Sequence, residues 1–113
     1  TLFPYTTLFR SMKFDSDESA ERVVRVMRRK VGTSPDAAGL HTLGCAELHL
    51  GLVPEAVKRL RRAVELRPGF AEAWLDLARA CLENGDAEGA RSAAAKAADR
   101  GLPPPPDLAA RLG

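Results

Sequence analysis

Small and apolar residues recur in this chain at one fixed interval. Leu43, Gly44, Gly51, Ala56 and Ala63 are each followed, 34 residues later, by Leu77, Ala78, Gly85, Ala90 and Ala97. A fixed interval of this length marks a repeat architecture, in which each unit is one supersecondary element that buries its apolar face only against its neighbours. The chain is therefore expected to fold as a stack of like units rather than around a single centre.

Each unit reads as two helices. The first is expected to begin near Ser34-Pro35-Asp36, with Ser34 as its cap, Pro35 in the first helical position and Asp36 at the positive end of the dipole. It runs to about Leu50 and stops at Gly51, and Pro54-Glu55 opens a second helix that ends at Arg67, before Pro68-Gly69. The next unit repeats the plan. A helix from about Ala71 ends at Asn84-Gly85, Asp86 caps its successor, and that one ends near Arg100-Gly101.

The repeated small residues have a packing reason. Ala56 with Ala63, and Ala90 with Ala97, lie seven apart on one stripe of the second helices, while Gly44 and Ala78 sit midway along the first. Small side chains there let two helices cross at the short end of the usual 8–10 Å range. Leu40, Leu43, Leu60, Val64, Leu66, Trp74, Leu77 and Leu82 are expected to supply the surrounding apolar volume.

These residues resemble the tetratricopeptide repeat family, whose pattern is W-x₂-L-G-x₂-Y, then G, then A-x₃-F-x₂-A and a closing P. The first unit carries Leu43-Gly44, Gly51, Ala56, Leu60, Ala63 and Pro68, and departs at Leu40 and at Glu47, where Trp and Tyr are expected. The second carries Trp74, Leu77-Ala78, Gly85, Ala90 and Ala97, departs at Cys81 and Ala94, and has its proline one residue late, at Pro103. An ankyrin reading needs a 33-residue unit and a T-P-L-H motif, and neither is present. The fold class expected is all-α: antiparallel helix-hairpin repeats forming an α-solenoid, with repeats at 35–68 and 69–102 and flanking helices on both sides.

The flanks differ from the repeats. Residues 1–11, TLFPYTTLFRS, hold three of the six aromatics and no helical period. They match, residue for residue, the translation of a common short-read sequencing adapter, and lack the basic first region and small-residue cleavage site of a signal peptide. They are expected to be an assembly artefact without fixed structure, leaving Met12 as either the native start or an internal methionine, with further repeats, a catalytic part or targeting information possible upstream. Residues 12–34 read as one amphipathic helix over Ser19–Val31, preceded by a frayed polar run, with Ala20, Val23, Val24, Met27 and Val31 on its apolar face. It is no simple copy of a second helix, because stepping back 34 residues from Ala56 and Ala63 lands on Arg22 and Arg29. Residues 103–113 read as a proline spacer and a short capping helix, Asp107–Leu112. Two units alone are marginal, since roughly three are needed, so the flanking helices are expected to complete the core.

Composition narrows the function. The chain has 17 Lys+Arg against 15 Asp+Glu, too even a balance to argue for nucleic acid. Its basic runs, Arg22 to Lys30 and Lys58 to Arg62, are interleaved with or flanked by glutamates and are expected to be a solvated outer face. No apolar run reaches the roughly 18 to 20 residues of a membrane span. His41, Cys45 and His49 fall at i, i+4 and i+8 of the first helix, but the two histidines stand about 12 Å apart along the axis, too far to share one ion with bonds near 2 Å. No acidic side chain of that helix joins them, since Glu47 points elsewhere. Cys45 with either histidine lacks an orienting group and an oxyanion hole, and there is no Walker loop, no dinucleotide fingerprint and no catalytic carboxylate pair. Cys45 and Cys81 are expected to be free thiols, buried or groove-lining.

The expectation is thus a non-catalytic module with no cofactor and no metal. It would bind a protein or peptide ligand rather than nucleic acid or membrane, in a cytoplasmic, bacterial setting, with its oligomeric state left open. By the resemblance, the groove positions are Ala38, His41, Cys45, Leu48 and His49 from the first unit and Glu72, Leu75, Arg79, Leu82 and Glu83 from the second. The carboxylate clamp of some family members is not expected, because an acidic residue, Asp76, stands where a cation is required. The alternative reading is a regulatory or assembly fragment of a larger repeat-containing enzyme.

Overall fold

The computed structural model describes residues 14–113, so the adapter-like segment 1–11 and Met12 lie outside the described residues. Six helices and no strand occupy them: α1 Asp17–Thr33, α2 Ala37–His49, α3 Val53–Leu66, α4 Ala71–Glu83, α5 Ala87–Asp99 and α6 Pro106–Leu112. Helices α2 with α3 and α4 with α5 form two antiparallel hairpins; α1 packs on α2, and α3 packs on α4. The protein is an all-α stack of helix hairpins.

Both hairpins close by the same chemistry. Gly51 and Gly85 take φ of 81° and 80°, a left-handed conformation open to glycine at little cost. Gly51 N–H then donates to Leu48 O and Leu52 N–H to Glu47 O, while Gly85 N–H donates to Leu82 O and Asp86 N–H to Cys81 O. This pair of bonds satisfies carbonyls that the helix end leaves open.

Three boundaries differ from expectation. Asp36, not Ser34, caps α2, its carboxylate accepting from Gly39 N–H at 2.8 Å. Ser34 instead ends α1, its N–H donating to Lys30 O at 2.8 Å. Helix α1 also starts earlier than Ser19, because Ser16 caps it and Asp17 and Glu18 fill its first turn. At the far end α6 begins at Pro106, so the last proline of the run belongs to the helix rather than to the spacer.

The small-residue stripes face inward: Ala56, Ala63, Ala78, Ala90 and Ala97 are all fully buried. At Gly44 the approach is closest, since a Cβ there would lie 2.7 Å from Leu60 Cγ. Leu66 departs from the expected core at 43% exposed, because it shares a face of α3 with Arg62 and Arg59, one and two turns back. Trp74 and Leu82 are only half-buried. The Trp74 indole keeps an outward edge, donates from Nε1 to Pro68 O at 2.7 Å, and lies under the Lys96 and Arg100 cations. Ala20 and Val24 bury α1 against α2, and Leu108 and Leu112 bury α6 in the main core. Among the described residues no helix is long and apolar enough to cross a membrane.

Candidate functional site

The first helices of the two hairpins, α2 and α4, touch directly, while α3 and α5 have no contact of that extent. The face on which α2 and α4 meet is the one that the repeat resemblance makes the inner side of the stack. At the seam between them lies a buried polar cluster. His41 and Cys45 stand one turn apart on α2, and Asp76 and Arg79 one turn apart on α4. His41 Nε2 lies 2.8 Å from Asp76 Oδ2, Cys45 Sγ donates to the same oxygen at 3.3 Å, and Arg79 donates to Asp76 Oδ1. Phe70 meets the His41 ring edge-on with centroids 4.8 Å apart, and the Arg67 guanidinium lies over the Phe70 ring, 4.5 Å from its centre.

Each of these polar groups is costly to bury alone and tolerable in company. Asp76 is the hub: both of its oxygens are engaged, one by α2 and one by its own helix. His41, Cys45 and Asp76 each offer a donor atom, all within 4.8 Å of one another, a set that suits zinc by type but is one ligand short. The guanidinium on Asp76 already supplies the compensating positive charge, and an ion beside it would meet like charge in a low-dielectric seam. The cluster thus works as a clasp that fixes α2 against α4.

His49 is not part of it. Its Nε2 lies 3.2 Å from Asp17 Oδ1 and its ring packs on Phe14, so it joins α2 to the start of α1. Of the ten groove positions read from the sequence, Ala38, Glu72 and Glu83 are exposed and His49 and Leu82 half-buried, while His41, Cys45, Leu48, Leu75 and Arg79 are buried. Glu83 holds Arg111 of α6 at 3.0 Å.

Two features escaped the sequence reading. Asp76, weighed there only as an obstacle to a carboxylate ligand, turns out to be buried and to organise the seam. Its signal was present, as Asp76 and Arg79 one turn apart among the apolar Leu75, Leu77 and Ala78 of α4. Glu47 is the second. It is fully enclosed where the repeat pattern places an aromatic, with Arg28 of α1 at 3.2 Å and Arg59 of α3 at 3.5 Å. Burial pushes its carboxyl above the ordinary range, against the opposing pull of Arg59 and Arg28. These two arginines correct the expectation that the basic runs lie wholly on a solvated face. Cys45 and Cys81 are both free and buried, and burial raises the Cys81 thiol, which lowers its thiolate fraction.

Compared with known protein families, residues 41–105 match the tetratricopeptide repeat. No curated protein matches the chain.

Proposed function

The chain belongs to the tetratricopeptide repeat family, and on that premise we propose that its inner face binds a peptide or helix of another protein. Repeats of this family in general mediate protein–protein contacts and are typically non-catalytic. The observation that carries the proposal is the clasp of His41 and Cys45 on Asp76, which ties α2 to α4 through the protein's own side chains. A partner then meets a surface already formed, and the ordering cost of binding falls mainly on the partner.

The ligand class follows from what reaches solvent. Ala38, Glu72, Leu82, Glu83 and His49 are the groove positions with exposed surface, and with Glu83 paired to Arg111, Glu72 makes the rim acidic. His41, Cys45, Leu48, Leu75 and Arg79 form the floor beneath. The partner segment is expected to carry an apolar side chain for Leu82 and lysine or arginine for Glu72. The test is selection from a random peptide library displayed on phage, followed by titration of the winning peptide with Glu72→Lys and Leu82→Asp proteins. Enrichment of basic-apolar sequences, with at least tenfold weaker binding to each variant, supports the proposal. Winners that bind both variants like the parent protein would place recognition elsewhere.

A further inference from the structure

Helix α1 and Thr42 of α2 border a depression of about 320 Å³ lined by Ser19, Arg22, Val23, Val26, Met27 and Thr42. Its floor is apolar, and Val26 is 59% exposed, the largest exposure among the big hydrophobic side chains of the described residues.

The 34-residue interval identifies these positions. One unit later, Arg22, Val23 and Val26 become Ala56, Val57 and Leu60, and Thr42 becomes Asp76. Ala56, Val57 and Leu60 are buried; Gly44 of α2 sits against Ala56 and Leu60, and Asp76 meets His41 and Cys45 of α2. So, among the described residues, α1 and α2 leave uncovered the surface equivalent in position to the one that α3 and α4 present to α2. The depression corresponds in position to the place of a first helix one unit before α2.

The seat is not a copy of its counterpart, and the differences define what fits it. At the closest crossing, where Ala56 and Leu60 admit only Gly44, this face has Arg22 and the shorter Val26. An arginine there excludes a bare glycine contact and calls for an anion, and the shorter Val26 leaves room for a side chain to supply it. Arg25 and Arg29 flank Val26, and neither they nor Arg22 form an ion pair with a described residue. We infer that this face docks an amphipathic helix of a partner protein, with apolar residues at i, i+3 or i+4 and i+7 and a carboxylate at the crossing with Arg22. The occupant extends the stack by one helix, and the site is separate from the inner face.

The probe is a fluorescent peptide copying residues 36–50 of this chain with Gly44→Glu and Cys45→Ser, compared with the same peptide carrying Gly44→Lys. Against the full chain, the glutamate peptide is expected to bind saturably and at least tenfold more tightly than the lysine peptide. Val26→Asp in the protein is expected to weaken it at least tenfold, and Arg22→Glu to invert the preference between the peptides. Glu72→Lys and Leu82→Asp should leave it unchanged, which separates failure here from failure of the inner-face reading. Both α1 positions are exposed, so the variants are expected to melt like the parent protein. Equal binding of the two peptides, no binding, or loss of binding through Glu72→Lys or Leu82→Asp overturns the inference. So does a Val26→Asp variant that melts several degrees lower, since the face would then be covered within the chain. A dimer of the parent protein that Val26→Asp dissolves overturns it too, by assigning the face to a second copy.

Discussion

Gly44 against Leu60 in the first hairpin is replaced, 34 residues on, by Ala78 and Ala94, both buried. A small residue facing a large one has become two small ones. Alanine favours a helix over glycine by about 1 kcal/mol, yet Gly44→Ala is expected to destabilise by about 1–2 kcal/mol because Leu60 must move. In a Leu60→Ala background the same change should become stabilising, a coupling of at least about 1 kcal/mol readable from urea denaturation of the four proteins. Glu47 supports a pH prediction. Burial raises its pKa in the folded state, so the folded protein holds that proton more tightly than the unfolded chain does. The carboxylate is then a liability above its folded pKa, and the liability fades as pH falls through that value towards the unfolded one near 4.3. Glu47→Gln is expected to raise the melting temperature at pH 7, with the gain shrinking to nothing towards pH 4. The position of Gly44 could be read from the interval alone, since small residues at fixed spacing need no knowledge of the partner. Glu47 could not, because what makes it tolerable, Arg28 and Arg59, comes from two other helices.

At the scale of elements, helix ends were legible wherever one residue had a single role. Gly51, Gly85 and Asp86 stand where the sequence placed them. Ser34-Pro35-Asp36 offered two capping side chains, and the choice between them rests on how far α1 runs, which local sequence does not say. With α1 extending to Thr33, Ser34 ends that helix and Asp36 starts the next. Accordingly Asp36→Ala should cost about 1 kcal/mol, and Ser34→Ala should fall within about 0.5 kcal/mol of the parent, both measured by thermal melting with circular dichroism. Leu66 shows a related limit: its hydrophobicity is legible in the sequence, but its exposure follows from the face of α3 that it shares with Arg59 and Arg62. The candidate site was the least legible part. Its residues from α2 were visible as His41 and Cys45 at helical spacing, but their partner Asp76 lies 35 and 31 residues away and depends on how closely α2 and α4 pack.

For the whole molecule, the two hairpins depend on their flanks. Helices α2, α4 and α6 begin at residues 37, 71 and 106, so α6 takes the place of the next unit's first helix in shortened form. It sinks Leu108 and Leu112 into the core formed by the hairpins, and Arg111 ties it to Glu83. Leu108→Ala should therefore cost about 2–4 kcal/mol, a large fraction of a small protein's stability, seen as an earlier urea midpoint with an unchanged slope. The two ends of the stack are unlike, and that difference carries a consequence. Endless head-to-tail polymerisation requires a complementary pair of surfaces on every molecule, one to give and one to receive. Here, among the described residues, α6 buries Leu108 and Leu112 while Val26 of α1 stays exposed, so the apolar surface open to an added helix lies on the α1 side.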